Sequence, residues 1–189
     1  MSGYLSQGGF KAGQGYVSTS ARIMQGQLLN PNQSILLQQS GIVTASVIGG
    51  TPVVISVSSS GASVTPVTAS TDVLAGIAVN GSQAIAQPDC DVGVYRVGQQ
   101  AAYYLWGSNA QIGVALDPTV TSVSGGATLY WHVGDAHITI TATTGQTIAL
   151  PSACQVLGIY TNGLTAQAAV PAQTDGYTYA TNPVAILKI

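Results

Sequence analysis

Two histidines and one aspartate lie close together in the stretch Trp-His-Val-Gly-Asp-Ala-His, at positions 131 to 137. Imidazole nitrogens and carboxylate oxygens bind divalent transition metals, so His132, Asp135 and His137 could supply three ligands to one ion. A hairpin closed at Gly134 and Asp135 would place His132 opposite His137 on its polar face. The sequence offers neither a fourth ligand nor outer-shell partners for these imidazoles. We therefore expect a solvated turn and no metal.

The other residues with chemical potential form no recognisable catalytic motif. Asp89 and Asp91 flank Cys90, and without a glutamate or a third acid nearby we interpret them as a solvated strand edge, not an acid/base pair. Serine is plentiful, yet the sequence has no Gly-x-Ser-x-Gly elbow and no glycine-rich phosphate loop. We expect no enzymatic activity and no cofactor.

The chain carries few charges for its length of 189 residues. Only 5% of its residues are charged, against roughly a quarter in typical soluble domains. Its four Lys and Arg residues are scattered and form no phosphate-binding patch, so we expect no nucleic-acid partner. The longest apolar stretch, residues 42–57, is interrupted by polar residues and is shorter than the roughly 20 residues that span a bilayer, so we expect no membrane segment.

Whether the two cysteines form a disulfide depends on the compartment in which the chain folds. The first residues contain neither the basic nor the apolar region of a secretory signal, which predicts folding in a cytoplasm. Thiols seldom form lasting disulfides in such a reducing compartment. Cys90 and Cys154 also lack metal-ligand spacing. Two separate, mostly buried thiols are our first interpretation, and a disulfide formed late is the alternative.

From about residue 42 onward, apolar and polar residues alternate with a period of two and are interrupted by Gly, Pro, Asn and Asp. This pattern is typical of many short antiparallel strands. Between residues 137 and 143, for example, Ile138, Ile140 and Ala142 would face a core. No segment shows a convincing helical pattern. The sequence predicts an all-β fold, a small antiparallel barrel or sandwich over residues 42–189 with an extended N-terminal arm.

Two segments of this β-domain resemble each other around Asn80-Gly81 and Asn162-Gly163. Each places Asn-Gly between two strand-like runs. Asn-Gly favours the type I′ turn of a two-residue hairpin, because both central residues need positive φ. We predict two similar Asn-Gly hairpins, with chance recurrence in a Gly-rich chain as the alternative.

Residues 1–41 differ from the rest of the chain because they are rich in Gln and Gly and show no clean periodicity. Their apolar content is nevertheless high for a solvated tail. We interpret them as an extended arm that orders against a partner, and a flexible terminus is the alternative. The candidate contact residues of this arm are Tyr4, Leu5, Phe10, Tyr16, Ile23, Met24, Leu28 and Leu29.

The densest aromatic patch contains Tyr103, Tyr104 and Trp106. Tyr and Trp are enriched at protein interfaces, and they also stack on sugar rings. These three residues are therefore a candidate contact patch for a protein or a glycan. Ordinary core packing is the alternative.

Four runs of the β-domain combine Val with small residues and other apolar residues: Val73–Ala78, Val92–Tyr95, Ile112–Asp117 and Val184–Ile189. They resemble the capsid cement or head decoration proteins of tailed bacteriophages, which repeat a Val-Gly-Val-Ala strand beside small-residue turns and finish on an apolar strand. The likeness covers about residues 42–189. The Gln-rich arm and the hairpin between residues 131 and 143 depart from the family pattern.

The resemblance implies a virion structural protein that binds the shell of the major capsid protein and stabilises the head. It also implies a homo-oligomer, with a trimer favoured, located on the capsid surface after synthesis in the host cytoplasm. The main alternative is a head-fibre or receptor-binding module that binds glycans through its aromatic patch. A surface-layer, pilin or ice-binding protein would fit the Thr and Gly content but would need an export signal.

Overall fold

A computed structural model of the chain describes residues 23–29, 38–80, 85–87, 90–168 and 177–189. These residues form fourteen strands and no helix, which confirms the predicted all-β fold. The strands are β1 (Gln38–Val43), β2 (Val47–Ile48), β3 (Pro52–Ser58), β4 (Gly61–Pro66), β5 (Gly76–Ala78), β6 (Ile85–Gln87), β7 (Cys90–Tyr95), β8 (Gln100–Leu105), β9 (Gln111–Ala115), β10 (Tyr130–His132), β11 (His137–Thr139), β12 (Thr147–Ala149), β13 (Gln155–Ala168) and β14 (Tyr177–Lys188).

Five of these strands close into a barrel in the order β1-β4-β3-β5-β8. Neighbouring strands are antiparallel except β1 and β4, which run parallel. The predicted antiparallel barrel therefore contains one parallel pair. The reason is geometrical, because a closed ring with an odd number of strands cannot alternate direction at every contact. Buried side chains that fill the barrel include Val43, Val53, Val64, Ala101 and Tyr103.

A second hydrophobic core adjoins the barrel and draws on two three-stranded sheets, β11-β10-β12 and β13-β14-β9. Trp131, Ile138 and Ile112 are among its fully buried side chains. Tyr104 on β8 also belongs to this second core, whereas the adjacent Tyr103 belongs to the barrel core. Successive side chains of a strand point to opposite faces, so β8 contributes to both cores. The strands β2, β7 and β6 form a further small sheet.

Residues 23–29, which the sequence assigned to the arm, pair with β9. Leu28 forms an antiparallel β-bridge with Ile112, and the Gly26 amide donates to the Gly113 carbonyl at 2.7 Å. Strand β1 begins at Gln38, so the predicted division between residues 41 and 42 falls inside a barrel strand. At least residues 23–29 and 38–41 are therefore part of the β-structure and not of a separate arm.

The structure describes only the second of the two predicted Asn-Gly hairpins in full, and it contradicts that one. Strand β5 pairs with β3 on one side and β8 on the other, while the Asn80 amide donates to the Gly26 carbonyl at 2.9 Å. The glycine after Asn80 lies outside the described residues. Strand β13 continues through Asn162 and Gly163 and pairs with β14, with a register shift between Tyr160 and Gly163. The second predicted hairpin is wrong because a long partner strand outweighs the local turn preference and absorbs the pair in a bulge.

The hairpin predicted around positions 134 and 135 is present as β10 and β11. Ile138 is buried as predicted, but β11 ends at Thr139 and Ile140 is exposed. The predicted alternation therefore fails after Ile138. Thr139 is buried instead, because its hydroxyl donates to the Asp117 carboxylate at 3.1 Å.

The structure describes one of the two cysteine side chains. Cys154 is a free, buried thiol, in agreement with our first interpretation, and burial raises its pKa to about 11. Cys90 and Asp91 lie in the first half of β7, and their side chains are outside the described part of the structure. Asp89 lies outside the described residues.

Candidate functional site

The hairpin of β10 and β11 forms one wall of an open cleft of about 840 Å³. His132 and His137 are directly paired across the hairpin, as the sequence predicted. Their rings stack with centroids 5.4 Å apart and an interplanar angle of 29°. Ala136 in the connecting turn has φ of 52°, a left-handed conformation that is uncommon for a residue with a Cβ. This turn brings the side chain of Asp135 beside His132.

Contacts around His132 indicate which of its ring nitrogens carries a lone pair. The Asp135 amide donates to His132 Nδ1 at 3.2 Å, so Nδ1 acts as an acceptor. On the other side of the ring, Nε2 lies 3.2 Å from Oε1 of Gln146 and is the donor in the same neutral tautomer. The carboxylate Oδ2 of Asp135 lies 3.3 Å from the same Nδ1. The lone pair of Nδ1 is thus held next to a carboxylate oxygen.

Asp117 joins this cluster from the end of β9. Its amide donates to the Ile138 carbonyl at 2.9 Å, which ties it to β11. Its Oδ2 lies 3.8 Å from His137 Nε2, while Oδ1 accepts bonds from the amide and the hydroxyl of Thr119 at 2.8 and 2.7 Å. Burial opposes ionisation of Asp117, but these hydrogen bonds, one from Thr139 and the nearby His137 hold its pKa below the usual value. The carboxylate is therefore ionised and fixed in place at neutral pH.

His137 is about as buried as His132, with 16% and 15% of their side chains exposed. Burial lowers its pKa below the usual value and outweighs the opposing effect of the Asp117 and Asp135 carboxylates, and the neighbouring His132 lowers it further. The ring is therefore predominantly neutral at pH 7. Sequence reasoning missed Asp117 as a neighbour of this ring, since nothing in the local pattern of residues 111–117 points to a residue twenty positions further on.

The chemistry available in the cleft is that of cation binding. One ligand atom from each of His132, Asp135 and His137 lies within 4.8 Å of the others. The lining also contains uncharged polar residues, among them Thr139, Thr141, Thr143, Thr165 and Asn182, together with apolar ones such as Ile48 and Leu116. The sequence predicted that His132 and His137 lie opposite each other on a hairpin closed at Gly134 and Asp135, and the structure confirms that pairing.

The aromatic patch predicted as a contact surface is mostly internal. Tyr103 and Tyr104 are only 3% and 5% exposed, and burial raises the pKa of both phenols. Trp106 is half-buried, and its Nε1 donates to the Leu74 carbonyl at 2.9 Å. The alternation of β8 sends the two tyrosines into two different cores, so these residues do not form an exposed aromatic groove.

The predicted contact residues of the arm fall into two groups. Ile23, Met24, Leu28 and Leu29 lie in the segment that pairs with β9, where they are partly buried against their own chain. The remaining four lie outside the described residues: Tyr4, Leu5, Phe10 and Tyr16.

A different surface stands out as available to a partner, namely the outer edge of β13. This strand is fourteen residues long, contains no charged residue and is the terminal strand of the sheet β13-β14-β9. Leu157 and Tyr160 on it are 49% and 43% exposed. Within the described part of the chain, no strand pairs with this edge.

Comparison of the chain with models of protein families, with curated proteins and with solved structures finds no match. Among the described residues, no helix has the length and apolar character needed to cross a membrane.

Proposed function

We propose that this chain is a non-enzymatic virion structural protein, a capsid cement or decoration protein that binds the shell of the major capsid protein and stabilises the head. We propose further that it acts on the capsid surface as a homo-oligomer, with a trimer favoured. The observation that supports this proposal is the long, uncharged outer edge of β13.

A free strand edge is a template for pairing with another chain. Soluble proteins usually protect such edges with charged residues, prolines or very short strands, because unpaired amides and carbonyls recruit foreign strands. Strand β13 has fourteen residues and neither a charge nor a proline. Its register shifts after Val156 and Tyr160 divide the edge into short stretches, which limits unspecific pairing but leaves room for a short partner strand. Exposed Leu157 and Tyr160 would add apolar contacts to such a pair.

The low charge content supports the same role. With 5% charged residues, the surface offers little electrostatic repulsion to neighbouring molecules. This property suits a protein that stays assembled with other subunits. On a symmetric shell, each oligomer can engage several equivalent sites at once. Modest contacts of the β13 edge would then add up to tight attachment through multivalency.

The alternative function, a glycan-binding fibre or receptor module, receives less support from the fold. It required an exposed aromatic groove, whereas Tyr103 and Tyr104 are buried. No other observation on the described residues favours sugar binding.

The test is co-sedimentation of the purified protein with empty heads assembled from the major capsid protein of the virus that encodes the chain. Wild-type protein should saturate the heads at a stoichiometry that matches their symmetry, with its position visible by electron cryomicroscopy. The double variant L157K/Y160K should bind more weakly, because two charges on the β13 edge must be desolvated. The matched control is V57K, since Val57 is 81% exposed on β3 of the barrel, in a different sheet.

The two parts of this proposal fail separately. Wild-type protein that remains in the supernatant at micromolar concentrations of heads would contradict the capsid-binding function. Full binding of L157K/Y160K, or an equal loss in V57K, would contradict the assignment of the β13 edge as the contact.

A further inference from the structure

We propose that His132, Asp135 and His137 bind a divalent first-row transition metal ion such as Zn²⁺. The inference is independent of the proposed capsid function, since it concerns a different part of the fold. Two imidazole nitrogens and one carboxylate oxygen lie within 4.8 Å of one another in an open cleft. Imidazole selects Zn²⁺, Cu²⁺ and Ni²⁺ over Mg²⁺ and Ca²⁺, which prefer an all-oxygen shell.

The distances within the cluster suit one shared ion. Nδ1 of His132 and Oδ2 of Asp135 are 3.3 Å apart. Two ligands held at about 2.0–2.1 Å on a tetrahedral zinc ion are separated by about 3.4 Å, so this pair already has the required spacing. The ion would replace the Asp135 amide, which donates to the Nδ1 lone pair when no metal is bound. The Asp135 side chain is 66% exposed at the tip of the hairpin and can rotate. Side-chain rotation in the open cleft can bring His137, whose ring stacks beside His132, to the same ion.

The outer shell that the sequence did not reveal is present in the structure. Metal-bound histidines usually direct their second ring nitrogen to a carboxylate or carbonyl oxygen, which fixes the tautomer and the ring orientation. Oε1 of Gln146 lies 3.2 Å from Nε2 of His132 and occupies this position. Oδ2 of Asp117 lies 3.8 Å from Nε2 of His137, which is beyond hydrogen-bond distance, so it is a nearby carboxylate oxygen that a small movement of the ring would bring within reach. Asp117 is itself held by hydrogen bonds, so it supplies a fixed oxygen beside the ring.

The first experiment measures metal binding directly, on protein prepared without a histidine tag and stripped with a chelator. Calorimetric titration with Zn²⁺ should show one ion bound per chain, and a large excess of Mg²⁺ should not compete. H132Q, H137Q and D135N should each weaken binding by more than the roughly 10–100-fold that loss of an outer-shell partner costs, and Q146A by an amount within that range. The control T141A alters the same cleft without removing a ligand and should bind as wild type.

A second measurement on the unaltered protein guards against variants that fold poorly. The chain has only two histidines, so its imidazole nuclear magnetic resonance signals come from His132 and His137 alone. Both sets should shift together and stop shifting at one equivalent of Zn²⁺. Absence of saturable binding, unshifted imidazole signals, equal competition by Mg²⁺ or undiminished uptake by the H132Q/H137Q double variant would each overturn the proposal.

Discussion

Replacing Tyr95 with Phe tests how the two hydrophobic cores are joined. Tyr95 on β7 is fully buried in the barrel core, and its hydroxyl donates to the carbonyl of Val79 at 2.6 Å. Val79 belongs to the second core. The Y95F substitution keeps the ring and removes only the hydroxyl, so it isolates this one link between the cores.

The expected loss of stability follows from the burial of both partners. A typical hydrogen bond contributes about 1 kcal/mol net, and a buried carbonyl left without its donor adds a desolvation penalty, so we expect the free energy of unfolding to fall by about 2 kcal/mol. For a chain of 189 residues, each kcal/mol lowers Tm by roughly 2–4 °C, which predicts a decrease of roughly 4–8 °C.

Urea unfolding, followed by the fluorescence of the buried Trp131, measures this change. The matched control is Y160F, because Tyr160 is 43% exposed on β13 and loss of its hydroxyl should alter stability by less than about 0.5 kcal/mol. If Y95F unfolds at the same urea concentration as wild type and Y160F, the hydroxyl does not link the cores and the reasoning is refuted.

Three further predictions concern local features. Ala136 has φ of 52°, so A136G should raise the free energy of unfolding, measured by thermal denaturation, by about 1 kcal/mol. The control A62G in β4 should lower the free energy of unfolding. A lower free energy of unfolding in A136G would contradict the strain at this turn. The Cys154 pKa of about 11 predicts that a thiol reagent labels Cys154 at pH 8 about 100-fold more slowly than an ordinary thiol. The rate is measured in a variant whose other cysteine is replaced by serine. Equal labelling rates for the folded and the unfolded protein would contradict this prediction. Oδ2 of Asp72 accepts hydrogen bonds from the backbone amides of Thr68 and Ala69 at 2.8 and 2.9 Å, which lower its pKa, so D72A should lower the free energy of unfolding by about 1 kcal/mol. This contribution is present above the unfolded pKa of about 3.9 and is lost as pH falls through the lower folded pKa, so a wild-type advantage that persists unchanged at pH 2 would contradict it.

Some features of the site were predictable because their signals are local. The period-two pattern and the Gly134-Asp135 turn predicted a hairpin with His132 opposite His137, and the structure confirms that pairing. Alternation alone could not show that Thr139 is buried and bonded to Asp117, because its partner lies twenty-two residues earlier in the chain. Gln146 and Asp117, which lie beside the two histidines, come from outside the hairpin. No local sequence pattern predicts that either residue reaches this site.

The sequence by itself determined the all-β class, the position of the histidine hairpin and the low surface charge, because alternation, turn preference and composition depend on neighbouring residues. Only the tertiary structure decided which strands pair. It placed Asp117 beside His137, sent Tyr103 and Tyr104 into separate cores and drew Asn162-Gly163 into the long strand β13. Strand pairing and burial depend on residues far apart in the chain, whose combined contacts outweigh the small local preferences that a sequence displays.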